Sequence, residues 1–140
     1  MRKNVHEVLK ETAKLNTKKA KIELLQKADC PALKDILRIN FDDTIVSLLP
    51  KGSPPYRKDD APDGLNFSTL HKNMPYFAYF FEGIHSGMNQ IKRESQYIRL
   101  LESVNPEDAE VMIAAVNKDL KFKGLTKKLV NDAFPNLIRK

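Results

Sequence analysis

Two short stretches of the sequence place lysines beside a threonine that can begin a helix. The first consists of Thr17, Lys18 and Lys19. The second comprises Lys121, Lys123, Gly124, Leu125, Thr126, Lys127 and Lys128. A helix N-terminus exposes unpaired N–H groups and carries partial positive charge, so anions bind there readily. A glycine at such a place lets another backbone approach closely. Both stretches are therefore predicted to bind phosphate.

The basic charge of the chain is concentrated at its two ends. Residues 1–28 and residues 117–140 each carry a net charge of +5, whereas residues 29–116 carry −4. If the fold brings the two ends onto one face, the result is a basic surface suited to a polyanion. Two solvated lysine faces on separate surface helices would give the same charge distribution, and charge by itself does not separate the two interpretations.

Histidine and cysteine, which often carry catalysis or bind metals, are scattered along the chain. His6, His71 and His85 lie far apart, and none has the spacing of a metal site or a catalytic triad. Each is predicted to be a surface or helix-face residue. Cys30 is predicted to be a small buried apolar residue, because no histidine or basic pair stands near it in the sequence to activate it.

Adjacent carboxylates are also explained without a catalytic role. The pairs Asp42–Asp43, Asp59–Asp60 and Glu107–Asp108 fall at predicted helix ends or in a loop, where solvent or capping accounts for them. The stretch DDAPDG lacks the acidic spacing and the terminal glutamate of a calcium loop. We predict no catalytic residue, no metal site and no cofactor, so the chain is interpreted as a binding module and not an enzyme.

Helix starts and stops recur along the sequence, and strand patterns are almost absent. Apolar residues at helical spacing predict helices over residues 5–15, 18–28, about 30–41, 90–104, 106–120 and about 125–133. Asp29 is the expected cap of the third helix. The second helix is expected to bury Ala20, Ile22, Leu24, Leu25 and Ala28. The fifth is expected to turn Ile91, Tyr97, Ile98, Leu100, Leu101 and Val104 inward.

An aromatic segment, MPYFAYFFEGI, follows a long irregular loop at residues 50–66 that is rich in proline and glycine. Asn73 and Pro75 are the expected start of a helix here, and Gly83 and Gly87 are expected to break it. Aromatic residues on several faces of one helix favour a central buried helix, with a base-stacking platform as the alternative. The sum is six or seven helices, which predicts an all-α class.

Length and composition set the remaining bounds. At 140 residues the chain is long enough for one domain, 1–140, and short for two. A single cysteine and a charged N-terminus favour an intracellular protein without a secretory signal. No apolar run approaches the roughly 20 residues that a membrane span needs.

Three segments resemble the N-terminal DNA-binding domain of ATP-dependent DNA ligases, most closely the T-even phage type. In EVMIAAVNKDLKFKGLTKKLVNDAFPNLI, an apolar helix closes on Lys118, Asp119 and Leu120, a glycine loop follows, and a second helix ends at Phe134-Pro135. VLKETAKLNTKKAKIELLQKADCPALKDILRINF resembles the beginning of that domain, and FSTLHKNMPYFAYFF its central helix. The resemblance runs over essentially the whole chain except the loop at residues 50–66.

This resemblance implies a helical fold that packs against the minor groove of duplex DNA. Carried over by position, the contacts would fall on Lys121, Lys123, Gly124, Leu125, Thr126, Lys127 and Lys128, with Thr17, Lys18 and Lys19 as a second site. The K-x-D-G lysine of the ligase nucleotidyltransferase domain is missing, so the chain is not expected to seal nicks. It would be a free-standing phage relative of the domain, or a domain cut from a longer ligase.

The sequence therefore predicts a sequence-nonspecific module for double-stranded DNA, phage-encoded, acting in replication, repair or transcription in the host cytoplasm. Phage or host replication and transcription proteins are the expected further partners, and no membrane is expected. The alternative is a protein-interaction or virion-associated module that retains the ligase-domain fold without binding DNA. The loop with Pro54, Pro55 and Tyr56 would then be its docking segment.

Overall fold

The described part of the chain in the computed structural model contains seven α-helices and one 3₁₀ helix, and it consists of residues 4–62, 65–66, 68–81, 89–135 and 137–138. The α-helices are Val5–Lys14 (α1), Lys18–Lys27 (α2), Pro31–Phe41 (α3), Leu70–Asn73 (α4), Gln90–Ser103 (α5), Pro106–Val116 (α6) and Lys127–Ala133 (α7). The 3₁₀ helix is Met74–Phe80. Among these residues there is no β-strand, and β pairing is limited to an isolated bridge between Ser47 and Phe81. The predicted all-α class is confirmed.

Local capping explains where most of the helices begin. Thr17, Thr69, Asn89, Asn105 and Thr126 each accept a hydrogen bond from a backbone N–H in the first turn of the helix that follows. Pro31 and Pro106 occupy the first turns of their helices, where the missing N–H costs nothing. These short-range contacts explain why the predicted helix starts lie close to the observed ones.

Helices α3 and α6 lie at the centre and pack against each other, with α1 against α2 and α6, α2 against α7, and α5 against α6. Their facing sides form one apolar core that includes Leu9, Leu33, Ile36, Leu101 and Met112, all fully buried. None of the described helices is both long enough and apolar enough to span a membrane.

Several local predictions were wrong. The cap position of α3 is Cys30, not Asp29, and its side chain makes no cap hydrogen bond. Helix α7 begins at Lys127, close to its predicted start at about residue 125, because Thr126 forms the cap. Ile91 was expected to face inward but is 79% exposed and lies in the first turn of α5.

The aromatic segment forms α4 and the 3₁₀ helix and not one central α-helix. Thr69 starts it, four residues before the expected Asn73, by accepting a hydrogen bond from the Lys72 N–H at 3.1 Å. Phe77, Phe80 and Phe81 are buried, whereas Tyr76 is 50% exposed. The expected helix breaks at Gly83 and Gly87 lie outside the described residues.

The first turn of α1 is capped by a side chain from α6. Asn4, at the cap position, makes no side-chain cap hydrogen bond. Instead the buried carboxylate of Asp108 accepts hydrogen bonds from the His6 N–H at 2.9 Å and from His6 Nδ1 at 2.7 Å. His6 Nε2 lies 3.0 Å from Glu107 Oε2 on the other side of the ring. Asp108 is therefore a buried cap and is not solvated, and His6 is a helix-face residue on the buried side of α1.

The pKa of His6 reflects two opposing effects. Burial by itself lowers the pKa, but the hydrogen bond and negative charge of Asp108, together with the charges of Glu107 and Glu7, raise it above its ordinary value. The pKa of the Glu107 carboxyl is lowered, chiefly by its hydrogen bond to Lys10. The contact between α1 and α6 is therefore a small charged network whose strength depends on pH.

Two further residues differ from their expected surroundings. Asp42 is buried, and its Oδ1 accepts hydrogen bonds from the Thr44 N–H at 2.9 Å and the Thr44 hydroxyl at 2.6 Å. Cys30 is buried as predicted, but His71 Nδ1 lies 3.9 Å from its Sγ at the edge of a pocket of about 460 Å³. This pair could not be predicted from local spacing, since the two residues are 41 positions apart. His85 lies outside the described residues.

Candidate nucleic-acid interface

The turn between α1 and α2 presents the first lysine cluster. Thr17 Oγ1 accepts a hydrogen bond from the Ala20 N–H at 3.1 Å and so begins α2, as predicted. Lys18 reaches across to α7, where its Nζ lies 2.6 Å from Asp132 Oδ2. Lys19 is exposed and forms no ion pair with any described residue. The free ammonium group at this helix start therefore belongs to Lys19.

The loop between α6 and α7 is held at its beginning by the end of α3. Lys118 adopts a positive φ of 55°, and its Nζ donates to the carbonyl oxygens of Ile39 at 2.7 Å and Asp42 at 2.8 Å. Asn40 Oδ1 accepts a hydrogen bond from the Leu120 N–H at 3.0 Å. Lys118 is exposed, but its ammonium group serves as a cap for the C-terminal carbonyls of α3.

The last residue of the loop, Thr126, caps the N-terminus of α7. Thr126 Oγ1 accepts a hydrogen bond from the Leu129 N–H at 3.1 Å. Leu125 is buried in the core, so its side chain is not available to a ligand. Its N–H is also occupied, since it donates to the Phe122 carbonyl at 3.0 Å. Of the predicted contact residues, Leu125 therefore anchors the loop and does not face a partner.

Lys21 joins the two clusters, and the sequence reasoning missed it. Its side chain is buried between them, with Nζ 3.1 Å from the carbonyl oxygen of Thr12, 2.8 Å from that of Leu15 and 3.4 Å from that of Lys123. Because one ammonium nitrogen contacts both backbone segments, the turn before α2 and the loop before α7 are neighbours in space. An ammonium group has three N–H donors, and Lys21 has three carbonyl partners, so it is fitted to hold the loop and not to bind a phosphate.

Gly124 is needed where it stands because of Lys21. It has a φ of +76°, a left-handed conformation that residues with a side chain rarely adopt. A Cβ added there would lie 2.8 Å from Lys21 Cε and 3.0 Å from Lys21 Nζ. The glycine therefore permits the close approach of the loop to α2. From the sequence, Gly124 had been predicted to contact a phosphate instead.

The predicted lysines fall into two groups by their partners. Lys18, Lys121 and Lys127 lie within 4.0 Å of Asp132, Asp119 and Asp43 respectively. Lys19, Lys123 and Lys128 are exposed and form no ion pair with any residue in the described ranges. Exposed ion pairs are weak and exchange readily, so all six ammonium groups can approach a polyanion. The three unpaired ones do so without first breaking an ion pair, although the charge of Lys128 also acts on Asp132.

The spacing of Lys21 could have revealed its position. It lies four residues before Leu25, which is fully buried, and residues four apart share one face of a helix. Ile22, Leu24 and Ala28, which were expected to be buried, are only partly covered. A lysine on the apolar face of a helix is therefore the sequence signal for a buried lysine that links two backbone segments.

We expect Lys21→Met to destabilise the protein by about 2 kcal/mol, because buried carbonyl oxygens lose their donor. Amide hydrogen exchange at residues 121–126 should accelerate, since the loop loses its contact with α2. Urea unfolding and exchange measured by mass spectrometry test both effects. Lys19→Met, on the exposed side of the same helix, is the matched control and should leave both unchanged. Equal behaviour of the two variants would contradict the role assigned to Lys21.

The arrangement defines a class of protein: an all-helical protein with two lysine-bearing helix starts joined at one surface. The chain belongs to a family of unknown function, DUF6433, whose model matches residues 8–122. The match includes the α1–α2 turn and Lys121 but ends before α7. A comparison with curated proteins found no match. Within the described residues, no three His, Cys, Asp or Glu side chains are grouped so as to hold a metal ion.

Proposed function

We propose that the chain is a non-catalytic module that binds duplex DNA without sequence preference, through its phosphates and along the minor groove. The observation that carries the proposal is the junction at Lys21, which brings the lysines before α2 and those before α7 to one surface. Electrostatic attraction to closely spaced phosphates, with release of their counterions, supplies most of the affinity of such surfaces.

Lysine is suited to phosphate and poorly suited to reading bases. It acts as a point charge, whereas base reading relies largely on the bidentate groups of Arg, Asn and Gln. Thr17 and Thr126 already use their hydroxyl oxygens to cap helices, which leaves their hydroxyl hydrogens available to a phosphate. Affinity should therefore depend little on sequence and strongly on salt.

The resemblance to the DNA-binding domain of DNA ligases supports the same function. It rests on the order of sequence features, to which the helical fold adds no evidence specific to ligases. On this basis the protein acts in phage DNA replication, repair or transcription in the host cytoplasm, with phage or host proteins of those processes as further partners. Without a nucleotidyltransferase lysine it would hold DNA and leave the joining of ends to another protein.

The test is fluorescence anisotropy with labelled duplexes of unrelated sequence, both intact and nicked. A dissociation constant tighter than about 10⁻⁴ M at physiological salt is expected, equal among sequences. Binding of three to six phosphates predicts a slope of about −3 to −5 in log K against log salt, at 0.9 per phosphate. Weaker binding than ordinary nonspecific association, or strong preference for one sequence, would reject the proposal.

Exposed apolar side chains favour a protein partner as the second candidate. Ile91 is 79% exposed and Leu65 is 72% exposed. The docking role predicted for Pro54, Pro55 and Tyr56 is less well supported, because Tyr56 packs partly against the core and the Arg57 N–H donates to Glu102 Oε2 at 2.7 Å. A protein that remains bound after nuclease treatment and high salt, and is lost with Ile91→Asp, would favour this candidate over DNA.

A further inference from the structure

A second candidate site lies outside the lysine clusters, beside Tyr76. Among the aromatic residues of segment 74–81 whose side chains are described, Tyr76 is the well-exposed one. Tyr76 is 50% exposed at the edge of a pocket of about 450 Å³ between the 3₁₀ helix and α5. Leu100, which is buried, contributes the apolar floor. The volume lies within the range of about 300–1,000 Å³ that is usual for small-molecule sites.

The charge in this pocket comes from Arg99. No carboxylate is found among the described residues that line the pocket, and Arg99 forms no ion pair with any described residue. Its guanidinium group is thus free to pair with an anion, and its planar fork matches the oxygens of a phosphate. The face of an exposed tyrosine ring beside it can stack on a flat aromatic ring.

Two amide side chains complete the pocket. Asn73 directs its Nδ2 to Ser68 Oγ at 2.8 Å and to the Thr69 carbonyl at 2.8 Å, which fixes the amide in one orientation. Its Oδ1 accepts no hydrogen bond from the described residues. The amide of Gln96 has no hydrogen bond partner in those ranges either. The pocket therefore offers one fixed acceptor and one adaptable amide toward the edge of a ring.

We propose that this pocket binds one nucleotide, with its base stacked on Tyr76, its phosphate on Arg99 and its base edge at Gln96 and Asn73. The chemistry is an aromatic ring that carries a phosphate, and it has two sources. One is a free nucleotide, and the other is an unpaired nucleotide at a single-stranded region of DNA. The pocket shares no residue with the lysine clusters.

The experiment titrates ¹⁵N-labelled full-length protein with the four deoxynucleoside monophosphates, with single-stranded decathymidylate and with inorganic phosphate. Saturable amide shifts at residues 68–76 and 96–103 are expected for a nucleotide, and much weaker ones for inorganic phosphate. Binding of the monophosphates identifies the free nucleotide as the source, and binding of the oligonucleotide only identifies single-stranded DNA. No shift with either, or equal shifts with inorganic phosphate, overturns the proposal.

Variants separate stacking from general charge. Tyr76→Ala should weaken binding by about tenfold or more, whereas Tyr76→Phe, which keeps the ring, should retain it. Arg99→Ala should weaken binding, and Arg57→Ala, which removes an exposed guanidinium from the loop, should not. A variant with Lys123, Lys127 and Lys128 changed to Glu should bind monophosphates normally even if it no longer binds duplex. Unchanged binding by Tyr76→Ala would also overturn the proposal.

Discussion

Replacing Lys123, Lys127 and Lys128 together with glutamate is expected to weaken duplex binding by about 1000-fold or more at physiological salt. A hydrogen bond to a charged group contributes about 1.5 kcal/mol, and each 1.4 kcal/mol is a factor of ten in affinity, so three lost phosphate contacts reach this magnitude. The new carboxylates add repulsion from the phosphates. Anisotropy with duplexes of several sequences measures the loss, which should be the same for all of them.

Folding should survive this change. Lys127 and Lys128 lie in the first turn of α7, where a carboxylate interacts favourably with the helix dipole. Lys51, Lys72 and Lys92 changed to glutamate form the matched control, since all three are exposed, lie outside the lysine clusters and change the charge equally. The slope of log K against log salt should become less steep by about three for the interface variant, at about one per lost phosphate contact. A loss as large in the control would show that total charge, and not this surface, binds DNA.

Asp108→Ala is expected to cost about 3 kcal/mol of stability at pH 6. The change removes the cap of α1, worth about 1 kcal/mol, and leaves the buried donors of His6 without their acceptor, which costs a further 1–3 kcal/mol. Urea unfolding followed by circular dichroism measures the effect. Asp119→Ala is the control, because Asp119 is exposed and, within the described ranges, forms an ion pair with Lys121 alone, at 3.6 Å. The control should stay within about 0.5 kcal/mol of the parent protein.

The effect of Asp108→Ala should depend on pH. The folded-state pKa of His6 is raised, so its charge stabilises the fold fully below the unfolded value of about 6.5. That contribution is lost as the pH rises through the folded-state pKa. The difference between the parent protein and Asp108→Ala should therefore shrink above that pKa, although the neutral hydrogen bonds and the cap keep it above zero. A difference that is constant from pH 5 to pH 9 would contradict a charged His6.

Helix positions could be predicted from the sequence because capping and apolar spacing act within a few residues. Thr17, Thr126 and Asn105 bond to N–H groups two or three residues away, so their roles are visible in a short window. The aromatic segment was mispredicted for the same reason. Its short α4 and 3₁₀ helix depend on packing of Phe77, Phe80 and Phe81 in the core, which spacing does not reveal.

The location of the candidate interface could be predicted from the sequence, but the role of each of its residues could not. Lysine beside threonine marks a helix start whatever the fold, so the two clusters could be found by reading the chain. Which lysines are paired depends on Asp132, in α7, and on Asp43, in the turn after α3. Leu125 and Gly124 were taken as ligand contacts, although one packs in the core and the other makes room for Lys21.

By itself, the sequence determined the helical class, the helix starts and the concentration of positive charge at the two ends of the chain. These properties follow from residue type and local spacing. The tertiary structure decided that the two ends meet, through Lys21 and the carbonyl of Lys123, and that His6 and Asp108 are buried together. Both contacts join residues 102 positions apart. A buried polar group needs a partner, but its own position in the chain does not say where that partner lies.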